Sequence, residues 1–301
     1  MEKVVVLMST YNGDKYIRTQ LDSILNQKNC ELTILVRDDG STDRTTEILN
    51  EYQSEKQLTW YTGYNLKPPC SFMDLVFHAP DADYYAFADQ DDIWDEDKMF
   101  CAIERLKRVE GPAFYHSNAR LADANGNPTG IRLHKENPKL NFFSLACAGG
   151  ILGCTMVFNH ALRREVVTTA FPVRIRMHDY YMGMVGLGIG GTAIYDNTPH
   201  INYRQHGGNV LGVAVGLKAK LKSKMKQFTK QEKYSITEQA QELLDYYGER
   251  LVPEYKKQCI AVSLYRKSIW RTVFVALSPK AHYSSLKNSI FIRLCLLFRR
   301  R

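Results

Sequence analysis

Carboxylates crowd into the acidic stretch Asp89 to Asp92, directly after the apolar run Tyr84 to Phe87. The apolar run predicts a buried strand, so the acidic side chains fall where that strand ends and a loop opens to solvent. Neighbouring carboxylates repel one another unless they share a hard cation, and Mg²⁺ and Mn²⁺ prefer oxygen ligands. We therefore interpret the acidic stretch as the site of a divalent metal and a diphosphate. The alternative is a turn that caps the helix following Asp95 to Asp97.

Polar clusters also follow two other predicted strands. The apolar run Val4 to Met8 leads into Ser9 to Gly13, and the run Leu32 to Val36 leads into Arg37 to Asp43. In an open parallel sheet, ligands bind outside the carboxyl ends of the strands, so these clusters and the acidic stretch would line one edge. This convergence favours the metal-diphosphate interpretation over simple capping.

Hydrophobic periodicity predicts the elements that position these residues. Ile17, Leu21 and Ile24 share one helical face between the first two strands, and a third strand is expected near Leu58 to Tyr61. Ser41 is a candidate cap for the helix after the second strand. Because strands alternate with helices here, the sequence predicts an α/β fold with a mainly parallel sheet.

Beyond residue 112 the pattern changes, because short strand candidates are separated by long loops without a regular crossover helix. We expect the acceptor side of the site here. Gly186 to Gly191 matches Gly-x-Gly-x-x-Gly, but it lacks a strong preceding strand and a following acidic residue, which favours close helix packing or a loop near the acceptor. Ala148 to Gly153 fits a glycine-rich wall that a sugar can approach. The strand candidates are Ala113 to His116, Thr155 to Phe158, Ala193 to Tyr195 and Ile201 to Tyr203.

The composition indicates a globular protein with reduced cysteines. Of its 301 residues, 45% are hydrophobic, which is enough for a sizeable core. The seven cysteines are scattered and include no Cys-x-x-Cys pair, so they predict neither a disulfide framework nor a zinc site. The apolar run Val4 to Met8 is too short for a signal peptide, and no stretch approaches the length of a membrane span. We therefore expect a cytosolic protein.

Charge divides the chain into two parts, residues 1–215 and a basic helical C-terminal extension of residues 216–301. The extension holds 19 Lys and Arg against 6 Asp and Glu, whereas the rest holds 21 against 26. An acidic body with a basic tail predicts that the tail meets an anionic surface. Nucleic acid is not expected as a partner, because the tail contains no recognisable binding module.

The extension begins with alternating lysines from Lys218 to Lys226, and helical segments are expected around Ser235 to Tyr247 and Lys256 to Leu277. Polybasic segments gain about 1 kcal/mol per Lys or Arg near anionic lipid, and the run Ile290 to Phe298 can enter the headgroup boundary. We therefore expect a peripheral protein on the inner face of the cell membrane. A solvated helical face is the alternative.

The order and spacing of three motifs carry a family resemblance. Val4 to Gly13, Asp38 to Asp43 and the acidic stretch together resemble the family 2 glycosyltransferases with the GT-A fold. The Asp-Gln-Asp-Asp-x-Trp form, with His178 to Tyr181 and Tyr203 to His206, is most similar to bacterial rhamnosyltransferases of cell-wall or capsular polysaccharide synthesis. The resemblance covers roughly residues 3–212 and implies a GT-A-like, three-layer α/β/α sandwich.

The resemblance implies roles at the nucleotide end of the site. Thr10 and Tyr11 would pack against or bond the base, and Asp39 would accept the N3–H that uracil and thymine share. Asp38 or Asp39 alone could instead shape the turn after the second strand. Asn65 is a candidate donor contact, although a turn role is equally open. Gln90 is assigned to the nucleotide sugar.

The resemblance also implies the reacting groups. Asp91 would bind Mg²⁺ or Mn²⁺ directly, with Asp89 on the ribose or a metal-bound water. His206 would complete the metal or diphosphate site, or serve only as a core or surface residue. Asp179 stands where the family keeps its general base, which takes the proton of an acceptor hydroxyl and gives inversion in one step. A helix N-cap is the structural alternative for Asp179.

Together these features imply an inverting, metal-dependent glycosyltransferase. Its donor is expected to be dTDP-rhamnose and its acceptor a glycan on a lipid carrier. A UDP-hexose donor is the alternative within the family, and a catalytically idle glycan-binding protein is the alternative outside it. A nucleotidyltransferase would need a glycine-rich loop with a following Arg and Lys, and the turn Ser9 to Gly13 lacks them.

Overall fold

The computed structural model describes residues 1–135, 137–138, 140–207, 233–281 and 285–298. Its strands, β1 to β11 in chain order, are Lys3–Thr10, Glu31–Asp38, Thr59–Thr62, Tyr84–Ala88, Ile93–Trp94, Ala113–Ser117, Arg120–Ala122, Pro128–Arg132, Val157–Asn159, Thr192–Asp196 and Ile201–Arg204. Its helices, α1 to α11 in chain order, are Ile17–Leu25, Thr45–Ser54, Lys67–His78, Lys98–Leu106, Phe142–Ala148, His160–Val167, His178–Gly188, Ile236–Tyr247, Pro253–Ser263, Ile269–Ala276 and Leu286–Leu297.

Seven strands form the central sheet in the order β10-β6-β9-β4-β1-β2-β3. β1 pairs in parallel with β2 and β4, β2 pairs in parallel with β3, and β6 pairs in parallel with β10. Only β9, between β4 and β6, runs antiparallel to its neighbours in this described sheet. The prediction of a mainly parallel sheet is confirmed. Because β2, β1 and β4 are parallel neighbours, their carboxyl ends reach the same edge.

Alternate residues of β1 face opposite sides of the sheet, as the period of a strand requires. Val5 and Leu7 belong to one hydrophobic cluster, which the helices α3, α5, α6 and α7 also join. Val4, Val6 and Met8 belong to a second cluster with α1, α2 and α4. Helices therefore cover both faces of the sheet, and the predicted α/β/α sandwich is confirmed.

Helix α3, which contains Pro68 and Pro69, was not predicted from the sequence. In the structure these prolines occupy the first turn of α3. A proline there removes a backbone N–H that would have no intrahelical acceptor, so it is tolerated at a helix start. The helix lies directly after Asn65 and carries Phe72 into the first hydrophobic cluster.

Two further local predictions are wrong. Ser41 does not cap α2, which begins at Thr45 after Arg44, and the Ser41 hydroxyl donates to Asp38 instead. Asp43 accepts the N–H of Thr45 and so takes the place expected of Ser41. The helical segment expected from residue 256 to 277 is two helices, α9 and α10, with a short 3₁₀ turn between them.

A second, smaller sheet has the strand order β5-β11-β7-β8. β5 pairs antiparallel with β11, so that Trp94 lies opposite Ile201. This pairing brings the segment that follows the acidic stretch next to the strand that leads to His206. Residues far apart in sequence therefore meet at the open edge of the central sheet.

Helix α8 begins where the sequence predicted, since Ser235 caps it and Glu238 completes a capping box. Its residues Leu243 and Tyr247 join the hydrophobic cluster that contains Tyr181 of α7. The boundary at residue 215/216, the alternating lysines 218–226 and the terminal arginines 299–301 lie outside the described residues, so the division into two parts stays a prediction.

Within the described ranges, no helix combines the length and the apolar character needed to cross a bilayer.

Candidate active site

A cleft of about 260 Å³ opens at the edge where β1, β2 and β4 end. Of the ten residues that the sequence nominated for the site, eight line this cleft and two, Asp38 and His206, do not. The eight are Thr10, Tyr11, Asp39, Asn65, Asp89, Gln90, Asp91 and Asp179.

Asp38 is fully buried and orders the turn after β2. One carboxylate oxygen accepts the hydroxyl of Thr10 at 3.0 Å, and the other accepts the backbone N–H groups of Gly40 and Ser41 at 3.0 and 2.8 Å. The structure therefore gives Asp38 the turn-shaping role that was one of the two outcomes expected for the Asp38-Asp39 pair. It does not bring Asp38 to the cleft.

Asp39, in contrast, is held at the cleft by charge and by the backbone. One oxygen pairs with the guanidinium of Arg37, and the other accepts the backbone N–H of Lys67 at 3.1 Å. Arg37 is fixed in turn by a 2.9 Å contact to Asp74. Asn65 accepts the same Lys67 N–H at 3.0 Å, so it makes the turn and lines the cleft as well.

Gln90 joins the loop after β1 to the loop after β4. Its side-chain oxygen accepts the N–H of Tyr11 at 2.9 Å, and its amide nitrogen donates to the Tyr11 carbonyl at 3.1 Å. Gly13 permits this contact, because a Cβ there would lie 2.3 Å from the Gln90 oxygen. Both ends of the amide are therefore engaged with backbone, and Gln90 fixes the shape of the cleft wall.

The acidic stretch contains one anchor and two cleft-facing carboxylates. Asp92 is buried and accepts the backbone N–H of Arg204 at 3.1 Å, which ties the stretch to β11. Asp89 and Asp91 line the cleft. His206 Nε2 lies 2.6 Å from Asp91 Oδ2, so His206 reaches the site through Asp91.

The pKa of Asp89 and of Asp92 is raised, mainly by burial. The negative charge of Asp91 is the next largest cause. The raised pKa values mean that negative charge in this stretch is poorly compensated by the protein. Asp89, Asp92 and Cys154 also place one potential ligand atom each within 4.8 Å of one another. Carboxylate oxygens concentrated at an open cleft fit a hard divalent cation, and Asp89 and Asp91 both line this cleft.

Lys98 places a basic group near Asp89 and Asp92, and no sequence pattern predicted this position. Its side chain is fully buried, its Nζ lies 3.2 Å from the centre of the Trp94 ring, and it contributes charge near Asp89 and Asp92. Burial lowers the pKa of Lys98 to about 7. A lysine at the start of an amphipathic helix normally faces solvent, so only the folded structure shows its position.

Asp179 lies in the first turn of α7, which begins at His178 after the N-cap Met177. The alternative that Asp179 caps this helix is therefore wrong. Its side chain is 1% exposed, and one oxygen accepts the N–H of Tyr180 at 2.8 Å. Burial raises the pKa of Asp179 to about 8. A carboxylate of raised pKa that lines a cleft has the proton affinity that a general base needs.

The two glycine-rich segments lie in different parts of the fold. Gly186 and Gly188 lie in α7, where a Cβ would press against Phe114 and Leu251 respectively, so the prediction of close helix packing is confirmed. Gly153 lines the cleft beside Asp179. No P-loop or dinucleotide fingerprint is needed to explain either segment.

Sequence reasoning missed several residues of the cleft lining. Lys67 and Phe72 were missed because α3 was not predicted, although two prolines after a turn are a helix-start signal. His178 was part of a recognised motif but received no role. The lining residues without a prior assignment are Ser9, Lys67, Pro68, Phe72, Leu152, Met177, His178 and Tyr203.

A three-layer sandwich whose acidic edge and buried Asp179 line one cleft has the architecture of the GT-A-like transferases. A model of the family described as Glycosyl transferase family 2 matches residues 5–169, more than half of the chain. The chain belongs to this family and is a glycosyltransferase.

Two curated relatives illustrate the range of donors in the family. The chain is 29% identical over 230 residues to a dTDP-rhamnosyl transferase, RfbG, of Shigella flexneri. The alignment covers 71% of this chain and 77% of that protein. It is 26% identical over 210 residues to the Escherichia coli enzyme WfaP, named UDP-Glc:alpha-D-GlcNAc-diphosphoundecaprenol beta-1,3-glucosyltransferase. This alignment covers 70% of this chain and 80% of that protein.

Solved structures agree on the fold. Residues 1–349 of S. aureus TarS superpose with a TM-score of 0.56 at 18% identity, covering 99% of this chain and 82% of that one. The mannosyltransferase PcManGT from Pyrobaculum calidifontis, solved with GDP-Man and Mn²⁺, has a TM-score of 0.53 at 15% identity, covering 97% of this chain and 73% of that one. At these identities the likeness concerns the fold alone.

Proposed function

We propose that this glycosyltransferase is an inverting, metal-dependent enzyme that moves L-rhamnose from dTDP-rhamnose to a lipid-linked glycan during cell-surface polysaccharide synthesis. The observation that carries the proposal is that one cleft contains Asp39, Asp91 and Asp179. The relative named a dTDP-rhamnosyl transferase supports the donor. The relative whose name includes a diphosphoundecaprenol acceptor supports the lipid carrier.

The nucleotide end of the proposed site is built by Thr10, Tyr11 and Asp39. Asp39 presents a fixed carboxylate to the N3–H of the base, and Tyr11 offers an exposed ring for stacking. Asp89 and Asp91, with His206 behind Asp91, would hold Mg²⁺ or Mn²⁺. Such an ion, when bound, neutralises charge on the diphosphate as it leaves.

Asp179 performs the proton transfer in this proposal. The acceptor hydroxyl oxygen attacks the anomeric carbon from the face opposite the nucleotide, the bond from that carbon to the diphosphate oxygen breaks, and the hydroxyl proton passes to the Asp179 carboxylate. Burial favours the protonated product form of Asp179. The attack and the departure occur on opposite faces, so the configuration at the anomeric carbon inverts.

A UDP-hexose donor remains the second candidate, and the relative named for UDP-Glc favours it. Both donors share the N3–H that Asp39 would accept, so the base does not separate them. A panel of dTDP, UDP and GDP with and without Mn²⁺, read by thermal unfolding, tests the nucleotide class, because a ligand that binds only the native state raises its stability. Transfer assays with dTDP-rhamnose and UDP-glucose then choose the sugar. Stabilisation by GDP alone would contradict both donors.

The C-terminal helices supply the observation behind the proposed peripheral position on the inner face of the membrane. Residues 255–301 hold 11 Lys and Arg and no Asp or Glu. Helix α10 exposes Trp270 and Phe274, at 80% and 70%, and Leu277, which follows its last residue, is 55% exposed. Helix α11 exposes Leu286, Ile290 and Leu294 at a four-residue spacing, and Phe298, which follows its last residue, continues this apolar stripe.

An anionic lipid surface matches this combination of apolar and basic character. A second copy of the chain would place two strongly basic faces together, which charge repulsion opposes. We therefore include membrane docking by the extension, residues 216–301, in the proposal, with residues 1–215 as the catalytic part. Such docking would bring the cleft to an acceptor whose lipid carrier lies in the bilayer.

A further inference from the structure

His178 carries the strongest unexplained polar group of the cleft. It is the first residue of α7, it is 3% exposed, and it lines the cleft beside Asp179. Neither of its ring nitrogens has a hydrogen-bond partner among the described residues. A buried polar atom left unpaired costs about 1–3 kcal/mol, so an unpaired atom in a native structure calls for a compensating contact. The proton transfer assigned to Asp179 makes no use of it.

The ring of His178 is held by two phenylalanines. Phe72 of α3 stacks on it, with ring centres 4.0 Å apart and planes at 27°, and Phe87 of β4 meets it edge-on at 4.6 Å. These contacts fix the plane of the ring, and its two nitrogen atoms are left to form hydrogen bonds. Burial lowers the pKa of His178 to about 3, so the imidazole is neutral and offers one donor and one acceptor.

The Nε2 edge of this ring and the carboxylate of Asp179 converge on Gly153. A Cβ on Gly153 would lie 2.6 Å from His178 Nε2 and 3.4 Å from Asp179 Oδ2. All three residues line the cleft. Glycine at position 153 therefore lets both polar atoms lie close against the backbone at one place in the cleft wall.

We propose that His178 is a sugar-binding residue, whose Nε2 hydrogen-bonds a ring hydroxyl of the transferred sugar and holds the sugar beside Asp179. This inference rests on the proposed function, because the sugar must lie between the diphosphate at Asp91 and the base at Asp179. A sugar hydroxyl both donates and accepts, which suits a neutral imidazole. The diphosphate would instead require a cation or a metal.

The test compares a sugar nucleotide with its nucleotide, titrated calorimetrically into the full chain with Mn²⁺. His178→Phe keeps an aromatic ring between the phenylalanines but removes both nitrogens. We expect it to weaken dTDP-rhamnose about tenfold, as loss of one hydrogen bond does, and to leave dTDP unchanged. His178→Gln, whose amide reaches the position of Nε2, should retain most of the affinity, whereas His178→Asn, which reaches only the position of Nδ1, should not.

His116 provides the matched control. It is also buried, with its pKa lowered to about 3 by burial and with Nε2 unpaired among the described residues, but it is not part of the cleft lining. His116→Phe should leave both affinities unchanged. Equal weakening of dTDP and dTDP-rhamnose by His178→Phe, or full affinity in that variant, would overturn the role of His178.

A parallel titration with UDP-glucose and UDP separates this inference from the donor proposal. If the sugar-selective loss appears only with the UDP pair, the role of His178 stands and the rhamnose donor is wrong. If the wild-type chain binds dTDP-rhamnose and carries out transfer while the His178 variants match it, the donor stands and His178 has no part in sugar binding. If His178→Phe fails to fold, His178→Gln still tests the proposal. Loss of the preference for dTDP-rhamnose over dTDP in the glutamine variant would contradict it.

Discussion

His206 Nε2 lies 2.6 Å from Asp91 Oδ2, so the loop after β11 closes onto the acidic stretch after β4. Both side chains are largely buried, at 18% and 13% exposed. If Asp91 binds the proposed metal, His206 would orient this carboxylate or join it as a ligand. In the proposed metal site, this contact would make metal binding depend on a residue more than a hundred positions away in sequence.

We predict that Asp91→Asn abolishes Mn²⁺-dependent nucleotide binding and that His206→Ala weakens it about tenfold or more, as loss of an orienting partner does. The measurement is the Mn²⁺ concentration that gives half of the nucleotide-induced rise in melting temperature. Glu104→Gln, at a partly exposed position on α4, is the control. Unaltered Mn²⁺ dependence in Asp91→Asn would remove Asp91 from the metal site.

We predict that Asp179→Asn leaves donor binding intact and lowers the transfer rate by on the order of a hundredfold or more, the usual contribution of a general base. In the wild-type chain the rate should rise with pH over a range above that of an ordinary carboxyl group, because burial raises the pKa of Asp179 to about 8. The variant should lack this rise. Comparing initial rates across pH, with nucleotide affinity measured alongside, checks both points; near-normal turnover in the variant would refute the base assignment.

Burial of Asp179 should also make stability depend on pH. Its pKa is raised from 3.8 to about 8 on folding, so the folded chain binds the proton more tightly than the unfolded chain. The contribution of this group to stability is therefore present at low pH and falls as the pH rises toward 8, by at most about 1.4 kcal/mol per pH unit. Asp179→Asn should thus gain stability relative to the wild-type chain as the pH increases.

Urea unfolding at several pH values between about 5 and 8, without divalent metal, measures this difference in the free energy of unfolding. Metal is left out because it would change the charge near Asp89, which acts on Asp179. Parallel curves for the two proteins would show that Asp179 titrates normally.

The parts of the site that the sequence predicted share one property. Thr10, Asp39 and Asp91 each follow an apolar run long enough to mark a buried strand, and the parallel order of those strands then places the residues at one edge. Local pattern and one topological rule were sufficient there. The same reasoning did not separate Asp38 from Asp39, because the hydrogen bonds that commit Asp38 to the turn depend on the path of the loop.

The rest of the site depends on packing between distant elements. His178 enters the cleft because α3 and β4 supply the two phenylalanines that hold its ring. Lys98 is buried because α4 lies against Trp94. Neither position leaves a periodic signal in its own neighbourhood, since each is decided by residues many positions away.

The exposed aromatic residues of α10 give the last prediction. Trp270 and Phe274 lie one turn apart on a helix within residues 255–301, a segment that contains Lys and Arg but no Asp or Glu. We predict that Trp270→Ser with Phe274→Ser lowers binding to phosphatidylcholine vesicles containing phosphatidylglycerol at least tenfold, because burial of each large apolar side chain is worth about 1.5–3 kcal/mol.

Ile131→Ser, at a partly exposed position on β8, is the control and should bind as the wild-type chain does. Cosedimentation measures the bound fraction, and nucleotide binding in solution should be the same for all three proteins. Vesicle binding that survives the double substitution, or that does not need phosphatidylglycerol, would contradict the proposed docking surface.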